Sequence, residues 1–188
     1  MDAMEAILSR RSIRSYTSQK VSDHLIKELL EAAMSAPSAG DERPWHFIVI
    51  NDRNILGEIT GFHPYSGMLR KAQVAILVCV DLDLGNEGFL VQDGSAATEN
   101  LLIAAHAKGL GAVWLGIYPL KERITGMLKL LGLPERILPL SLISIGYPAE
   151  EVSRENRYHP GRVHTNRWVS RDRCKRLLNA PDFLSIPP

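Results

Sequence analysis

The segment that most constrains the fold is residues 88–108, which is apolar on almost every side when wound as a helix. A surface helix keeps one polar face, whereas a helix that is apolar all round is buried. Gly109 follows the segment, and glycine is the preferred residue just beyond a helix C-terminus. The pattern therefore predicts a long buried helix that ends before Gly109. Its apolar residues are Phe89, Leu90, Ala96, Ala97, Leu101, Leu102, Ile103, Ala104, Ala105 and Ala107.

Runs of apolar and β-branched residues predict four strands, at residues 45–51, 73–81, 112–117 and 138–147. Segment 73–81 is almost continuously apolar, which is typical of a strand covered on both faces. Periodic apolar residues predict further helices. These are expected at residues 3–9, 22–35, 52–60, 65–71 and 121–131, with a short helix near 169–178. Helices interleaved with four strands indicate a three-layer α/β/α sandwich, of either the α/β or the α+β class.

The chain has 188 residues and a formal net charge of +1, so its overall field would attract neither nucleic acid nor an acidic membrane. No apolar stretch is long enough for a membrane span, and residues 1–12 lack the apolar core of a signal peptide. Cys79 and Cys174 are far apart and indicate neither zinc nor a disulfide framework. We expect one domain over residues 1–168, a tail over residues 169–188 that packs on a partner subunit, and a cytoplasmic location.

Basic residues cluster in the segment Arg10-Arg11-Ser12-Ile13-Arg14. Side chains alternate in an extended chain, so Arg10, Ser12 and Arg14 would share one face while Ile13 turns to the core. Arginine forks and a hydroxyl group on one face suit a terminal phosphate. A solvated basic turn is the alternative interpretation.

Small residues dominate the segment 35–40, which lies between a predicted helix and the Pro44-Trp45 pair that enters a strand. Such a segment lets the backbone approach a flat ligand closely. A plain connection between helix and strand is the alternative interpretation.

The Gly109-Leu110-Gly111 sequence does not indicate a Rossmann site, because it follows a helix and precedes a strand, which is the reverse order. The sequence contains no P-loop and no nucleophile elbow, and no two histidines have the close helical spacing of a zinc site. Glu99 and Asn100 lie on the mostly apolar segment 88–108, so we expect structural partners for them rather than catalytic roles. No side chain stands out as an acid, base or nucleophile.

Read in chain order, these segments resemble the nitroreductase family of flavoproteins, over residues 4–168. The motifs are Arg-Arg-Ser-Ile-Arg-Ser-Tyr from residue 10, Ala-Pro-Ser-Ala from 36, Pro-Trp-His-Phe from 44, Gln-Asp-Gly-Ser-Ala-Ala-Thr-Glu-Asn-Leu-Leu from 92, Gly-Leu-Gly-Ala-Val-Trp-Leu-Gly from 109, Ile-Gly-Tyr-Pro from 145 and Arg-Tyr-His-Pro-Gly-Arg-Val-His from 157. Each motif alone is weak, but together they keep the order and spacing of the family.

The resemblance implies an FMN-binding homodimer with a mostly antiparallel sheet of four to five strands, helices on both faces, and each flavin at the subunit interface. It also implies hydride transfer from NAD(P)H to the flavin and then to a small acceptor such as a quinone or nitroaromatic compound, in a ping-pong mechanism. The residues that match flavin-binding positions are Arg10, Arg11, Ser12 and Arg14 at the phosphate, Pro37, Ser38 and Ala39 in a loop reaching the partner's flavin, Leu115 and Gly116 beside the isoalloxazine, and Arg157 as a late phosphate ligand. Met68 and Leu69 fall near the pyrimidine end of the ring, where Arg70 or Lys71 would stabilise the reduced flavin.

Two positions depart from the family pattern, since Asp41 and Arg43 stand where many relatives carry Asn and Gln before the Pro-Trp pair. We assign both to the substrate pocket, where charges in place of amides would alter the choice of acceptor. Two other functions fit the same motifs: an offshoot enzyme that acts on one specific metabolite or on flavin itself, and a protein that binds FMN without turnover. A nucleic-acid binder fits poorly, because its only support is the basic clusters and the net charge is +1.

Overall fold

The computed structural model describes residues 1–85 and 88–168. The chain divides into a first unit, residues 1–154, and a second unit that begins at residue 155. The first unit contains helices α1 (Ala3–Ser9), α2 (Asp23–Met34), α3 (Arg53–Phe62), α4 (Leu90–Ala107) and α5 (Lys121–Leu131), and strands β1 (Trp45–Ile50), β2 (Val74–Asp81), β3 (Gly111–Gly116) and β4 (Ile137–Gly146). Short 3-10 turns lie at Ala39–Asp41, Gly67–Arg70 and Pro160–Arg162. The helix expected near 169–178 and the tail 169–188 lie outside the described residues, so the domain boundary expected at 168 stays a prediction.

The four strands form one antiparallel sheet in the order β1-β2-β4-β3, which confirms the α+β class and the mostly antiparallel sheet. The two central strands are β2 and β4, whose register shifts between Val78 and Cys79 so that Pro139 stands opposite Cys79. Proline has no backbone N–H to donate, and a bulge lets the strand continue past such a residue. At the free edge of β3, Ser12 adds one parallel bridge to Ala112.

Side chains of the sheet alternate between two cores, one on each face. Ala75, Leu77 and Cys79 face a core that they share with α3 and α5. Val74 and Ile76 face a second core that they share with α2 and α4. Helices therefore cover both faces of the sheet, and the predicted three-layer sandwich is confirmed.

Helix α4 is buried where it packs on α2 and the sheet, and Leu101 and Ala105 are fully enclosed. Gly109 follows its end with a φ of 76°, a left-handed conformation that favours glycine. The outer side of the helix is less covered, since Ile103 is only half-buried and Val91 is exposed. The chain itself therefore covers only part of α4, and burial of its outer side stays a prediction.

Helix α1 lies against α4 and turns most of its apolar side chains to solvent. Ala6 is its buried residue, whereas Met4, Ile7 and Leu8 are 62%, 50% and 44% exposed. Helix α1 therefore carries an exposed apolar surface of its own. A patch of this kind on a small protein usually marks a contact with another molecule.

No helix in ranges 1–85 and 88–168 is both long and apolar enough to cross a bilayer. Within the same ranges, no three His, Cys, Asp or Glu side chains gather in a way that could hold a metal ion.

Candidate functional site

The end of strand β3 opens into a cavity of about 380 Å³, which we call the Gly116 pocket. Its wall comes from the segment after α1, the connection between α3 and β2, strand β3 and the first turns of α5. The lining residues are Arg14, His63, Tyr65, Met68, Val113, Trp114, Leu115, Gly116 and Arg123. The structure therefore brings together Arg14, Leu115 and Gly116, three residues selected from the sequence, with Met68 beside them.

Gly116 leaves space in the wall of this pocket. A Cβ atom built on Gly116 would meet no atom within 4 Å, whereas one built on Gly111 would lie 2.6 Å from Ile13 Cγ2. Packing therefore requires glycine at residue 111 and does not require it at residue 116. A glycine that packing does not require suits a backbone that a ligand approaches closely.

Two side chains hold the Gly116 carbonyl group. His63 Nε2 lies 3.1 Å from the carbonyl oxygen, and Arg123 Nη1 donates to the same oxygen at 2.7 Å. Because a carbonyl oxygen only accepts, Nε2 carries the proton of His63, and the buried Nδ1 has no hydrogen-bond partner among the described residues. Burial, followed by the charge of Arg123, lowers the pKa of His63 and keeps its ring neutral.

Two arginines, Arg14 and Arg123, line the Gly116 pocket, and none of the described residues that line it carries a carboxylate. Neither arginine forms an ion pair within the described part of the chain. Glu150 fixes only the backbone nearby, since its Oε1 accepts from the N–H groups of Arg14 and Ser15. An anionic ligand would gain charge-assisted hydrogen bonds in this pocket.

The other arginines of the first cluster do not line the Gly116 pocket. Arg10 Nε lies 3.4 Å from Glu99 Oε1 on α4. Arg11 is buried, and its Nε donates to the Ser153 carbonyl oxygen at 3.1 Å. Arg11 lines a larger cavity of about 650 Å³ between α1 and residues 148–153. We favour the smaller pocket as the functional site, because the Arg11 fork is already engaged by backbone carbonyl groups.

The alternation predicted for this segment is confirmed for two of its side chains. Ile13 turns inward against the core of α3 and α5. Arg11 turns away from the pocket that contains Arg14. The hypothesis of a common phosphate face for Arg10, Ser12 and Arg14 stays a prediction.

The loop at residues 37–39 is anchored at its base and does not line the Gly116 pocket. The Ala39 N–H donates to Asp93 Oδ1 at 3.0 Å. Asp93 is 5% exposed, and its Oδ2 has no hydrogen-bond partner in the described residues. Ser38 Oγ accepts from the Arg43 N–H at 3.0 Å, while Pro37 is exposed. The loop therefore presents an exposed tip on a fixed base.

Asp41 and Arg43, the two departures from the family pattern, are paired with each other. Arg43 Nε and Nη2 donate to the two carboxylate oxygens of Asp41 at 2.8 and 2.7 Å. This contact lowers the pKa of Asp41. Both residues have positive φ, 58° and 49°, which is unfavourable for residues other than glycine. Their charges compensate each other at the surface, so the loop presents no net charge from this pair.

Arg70, Lys71 and Arg157 are the other basic residues predicted to bind the flavin. Arg70 Nη2 is 3.4 Å from Thr60 Oγ1, and with Lys71 it lines a separate cavity beside Tyr16. Arg157 belongs to the second unit, where its guanidinium lies 3.2 Å from Glu155. The structure thus does not bring Arg70 to the Gly116 pocket.

Three residues of this region were not selected from the sequence: His63, Arg123 and Asp93. No local pattern marks His63, which follows the end of α3 and lies 53 residues from Gly116 in sequence. Arg123 is only seven residues from Gly116, in the first turn of α5, but it belongs to no motif selected from the sequence. Asp93 lies in the Gln92–Leu102 motif, in which the sequence singles out only Glu99 and Asn100 as polar groups on an apolar helix. Those two have structural partners, as expected, since Asn100 Nδ2 donates to the Ala32 carbonyl oxygen at 3.1 Å and Glu99 pairs with Arg10.

Comparison with known proteins identifies the family. The sequence profile of the Nitroreductase family matches residues 7–62 and 62–147. A provisionally named NADH dehydrogenase/NAD(P)H nitroreductase from Methanothermobacter thermautotrophicus is 50% identical over 169 residues, which cover 89% of this chain and 88% of that protein. The chain therefore belongs to the Nitroreductase family.

Solved structures agree with this assignment. A protein of the same provisional name from Parabacteroides distasonis aligns with a TM-score of 0.86 and 40% identity, over 88% of this chain and 98% of that one. A provisionally named nitroreductase from Desulfovibrio desulfuricans, solved in complex with FMN, aligns with a TM-score of 0.77 and 34% identity, over 90% of this chain and 99% of that one.

Proposed function

We propose that this chain is an FMN-dependent oxidoreductase that takes a hydride from NAD(P)H and delivers electrons to a small acceptor, such as a quinone or nitroaromatic compound, by a ping-pong mechanism. Family membership and a relative solved with FMN support the proposal. The observation that carries it is the Gly116 pocket, where open space beside a glycine backbone adjoins two guanidinium groups and no carboxylate.

The donor set of the pocket fits FMN. A flat ring needs close access to a backbone, which the space at Gly116 provides. The phosphate and the carbonyl oxygens of the ring need N–H donors, which Arg14 and Arg123 provide. We assign the phosphate side to Arg10, Ser12 and Arg14, with Arg157 as a further candidate, and the ring side to Leu115, Gly116 and the loop 37–39. We assign Arg11 a positioning role, because its fork holds backbone carbonyl groups.

FMN, when bound, supplies the hydride chemistry. The side chains of this pocket bind and orient rather than transfer protons. His63 uses its Nε2 proton on the Gly116 carbonyl oxygen, and its lowered pKa keeps it neutral. Among the lining residues, none is a carboxylic acid, a lysine or a cysteine that would serve as acid or base. The pocket therefore suits hydride transfer without side-chain acid–base catalysis.

We further propose a homodimer in which the loop 37–39 of the partner subunit completes each flavin site. Support comes from α1, whose apolar side chains Met4, Ile7 and Leu8 are exposed to water in the single chain. An exposed apolar surface of this kind usually marks a contact with another molecule. A second copy related by a two-fold axis would cover this surface. Asp93 fixes the base of the loop and leaves its tip exposed for the partner.

A second candidate function is an enzyme of narrower scope, which acts on one specific metabolite. The Asp41–Arg43 ion pair favours it, because it holds two side chains of the loop assigned to the substrate pocket in one arrangement while adding no net charge. Steady NAD(P)H turnover with several unrelated quinones and nitroaromatic compounds would favour the general enzyme. Turnover with one acceptor alone would favour the narrower one.

One absorbance experiment tests the central proposal. The purified protein should show the flavin bands of FMN, and anaerobic NADH or NADPH should bleach them. A colourless protein that takes up no added FMN would refute flavin binding. Bound FMN that neither nucleotide bleaches would instead indicate a binding protein without turnover. The cytoplasmic location expected from the cysteine count stays a prediction.

A further inference from the structure

A second cavity, of about 450 Å³, opens beside Tyr16 where the chain enters strand β2, and we call it the Tyr16 cavity. Three cations, Arg53, Arg70 and Lys71, line it, and none of the described residues that line it carries a carboxylate. No ion pair involves any of the three within residues 1–85 and 88–168. The whole chain has 22 basic and 21 acidic residues, so the cavity is a local concentration of positive charge.

Arg53, the first residue of α3, holds the turn that carries the other two cations. Its Nη2 donates to the carbonyl oxygens of Leu69 and Arg70 at 2.9 and 2.8 Å, and its Nη1 donates to that of Ala72. These hydrogen bonds occupy the guanidinium fork with backbone. Arg53 therefore adds its charge to the cavity and fixes the backbone on both sides of Lys71.

Arg70 and Lys71 keep donors for a ligand. Arg70 Nη2 has only a long contact, of 3.4 Å, with Thr60 Oγ1. The Lys71 ammonium group takes part in no hydrogen bond or ion pair of the described residues. The hydroxyl groups of Thr17 and Ser18 line the same cavity. Ammonium, guanidinium and hydroxyl groups all donate, and the oxygens of a phosphate group accept several such bonds at once.

The Tyr16 cavity is a neighbour of the Gly116 pocket. Arg14 lines the pocket and Tyr16 lines the cavity, and Met68 and Arg70 are divided in the same way. Each pair is two residues apart, and two residues of chain span at most about 7 Å. A dinucleotide whose nicotinamide ring lies in the Gly116 pocket is longer than this distance. One such ligand can therefore occupy both sites.

We propose that the Tyr16 cavity binds the 2′-phosphate group of NADPH and makes NADPH the preferred hydride donor. This inference rests on the proposed function, which leaves the choice between NADH and NADPH open. The two nucleotides differ only in this phosphate, in whose place NADH has a hydroxyl group. The phosphate gains charge-assisted hydrogen bonds from Arg70 and Lys71, and no ion pair has to break first. Preference for one donor is then a difference in affinity that arises from one group.

The test compares kcat/KM for NADPH and NADH in the full-length, FMN-loaded protein. Wild type should prefer NADPH by about tenfold or more, and Arg70→Gln/Lys71→Gln should lower kcat/KM for NADPH about tenfold while kcat/KM for NADH stays the same. Arg70→Lys/Lys71→Arg keeps both charges and should retain most of the preference. Lys27→Gln/Lys129→Gln is the matched control, because it removes two exposed charges from α2 and α5 and should change neither value.

A binding measurement gives a readout without turnover. By calorimetry, 2′-AMP should bind about tenfold more weakly to Arg70→Gln/Lys71→Gln than to wild type. Because both cations are exposed, high salt should weaken this binding in wild type.

Equal kcat/KM for the two nucleotides in wild type would overturn the proposal, and so would equal losses for both in Arg70→Gln/Lys71→Gln. Inorganic phosphate that binds wild type as tightly as 2′-AMP does, without any preference for NADPH, would assign the cavity to free phosphate and would also overturn it. Wild-type protein that oxidises neither nucleotide would refute the proposed function itself, and the 2′-AMP titration would then test the cavity alone.

Discussion

Replacement of Gly116 by alanine should make the apo protein no less stable while it weakens FMN binding. An added Cβ at Gly116 meets no atom within 4 Å, and its φ lies outside the left-handed region. Alanine in a compatible conformation stabilises a protein by about 0.4–1 kcal/mol, because the unfolded chain has fewer conformations. The free energy of unfolding of Gly116→Ala should therefore equal or slightly exceed that of wild type.

Gly111→Ala is the matched control on the same strand. Its Cβ would lie 2.6 Å from Ile13 Cγ2 and 2.8 Å from Ile13 Cβ. Ile13 packs against the core and cannot move away freely. Overpacking of this kind costs about 1–3 kcal/mol. The two substitutions are chemically identical, so the structure predicts opposite signs for their effects on stability.

Gly116→Ala should be the more stable of the two variants but should bind FMN more weakly than Gly111→Ala. The methyl group of Gly116→Ala occupies space that we assign to the ring, and loss of about 1.4 kcal/mol of binding energy corresponds to a tenfold weaker Kd. Urea unfolding of the apo proteins measures stability, and titration of flavin fluorescence measures Kd. The reasoning fails if Gly116→Ala destabilises the apo protein as much as Gly111→Ala does. Unchanged FMN affinity in Gly116→Ala would equally contradict it.

Three further predictions concern the surroundings of the site. Asp93→Leu leaves the partly buried Ala39 N–H without its acceptor, which costs up to about 1–3 kcal/mol. It should weaken FMN binding more than Asp93→Asn, which keeps an acceptor, and equal FMN affinity in both variants would exclude a positioning role. The pKa of His63 is lowered on folding, so the stability that its neutral form contributes is complete above pH about 6.5 and declines as pH falls below that value. His63→Gln keeps an N–H donor for Gly116 and should flatten the fall in unfolding free energy below pH about 6.5, whereas an unchanged slope would place the titration elsewhere. Finally, one pocket used in turn by donor and acceptor should give parallel double-reciprocal plots with NAD(P)H and a quinone, and intersecting lines would require a ternary complex.

Local patterns in the sequence were sufficient for most of the secondary structure. Helix α5 begins and ends where its periodicity predicts, because Gly132 at φ 63° terminates it. Ser22 caps α2 as expected, by accepting from the Leu25 N–H. The strand order β1-β2-β4-β3 and the bulge opposite Pro139 depend on pairing between distant segments, which leaves no periodic signal along the chain.

The site was only partly predictable, because His63 reaches Gly116 through a contact between distant segments and Arg123 reaches it through the turn between β3 and α5. Leu115 and Gly116 belong to a motif, but the side chains that hold the Gly116 carbonyl group come from residues 63 and 123. Arg70 and Arg123 are equally basic, and only the path of the backbone decides which one faces the pocket. Asp41 and Arg43 were predicted from the sequence to alter the substrate pocket through their charges. In the structure the two side chains form an ion pair, so their charges compensate each other.

Hydrogen-bond partners separate the structural polar groups of this fold from the functional ones. Burying a polar group without a partner costs free energy, so a folded chain satisfies such groups wherever it can. Arg11 and Asn100 are satisfied by backbone carbonyl groups, and both serve the fold. Among the described residues, Asp93 Oδ2 has no hydrogen-bond partner and Arg123 forms no ion pair. Asp93 lies at the base of the loop that we assign to the partner's flavin, and Arg123 lies beside Gly116. These unsatisfied polar groups therefore lie at the two places where the proposed dimer would contact its cofactor.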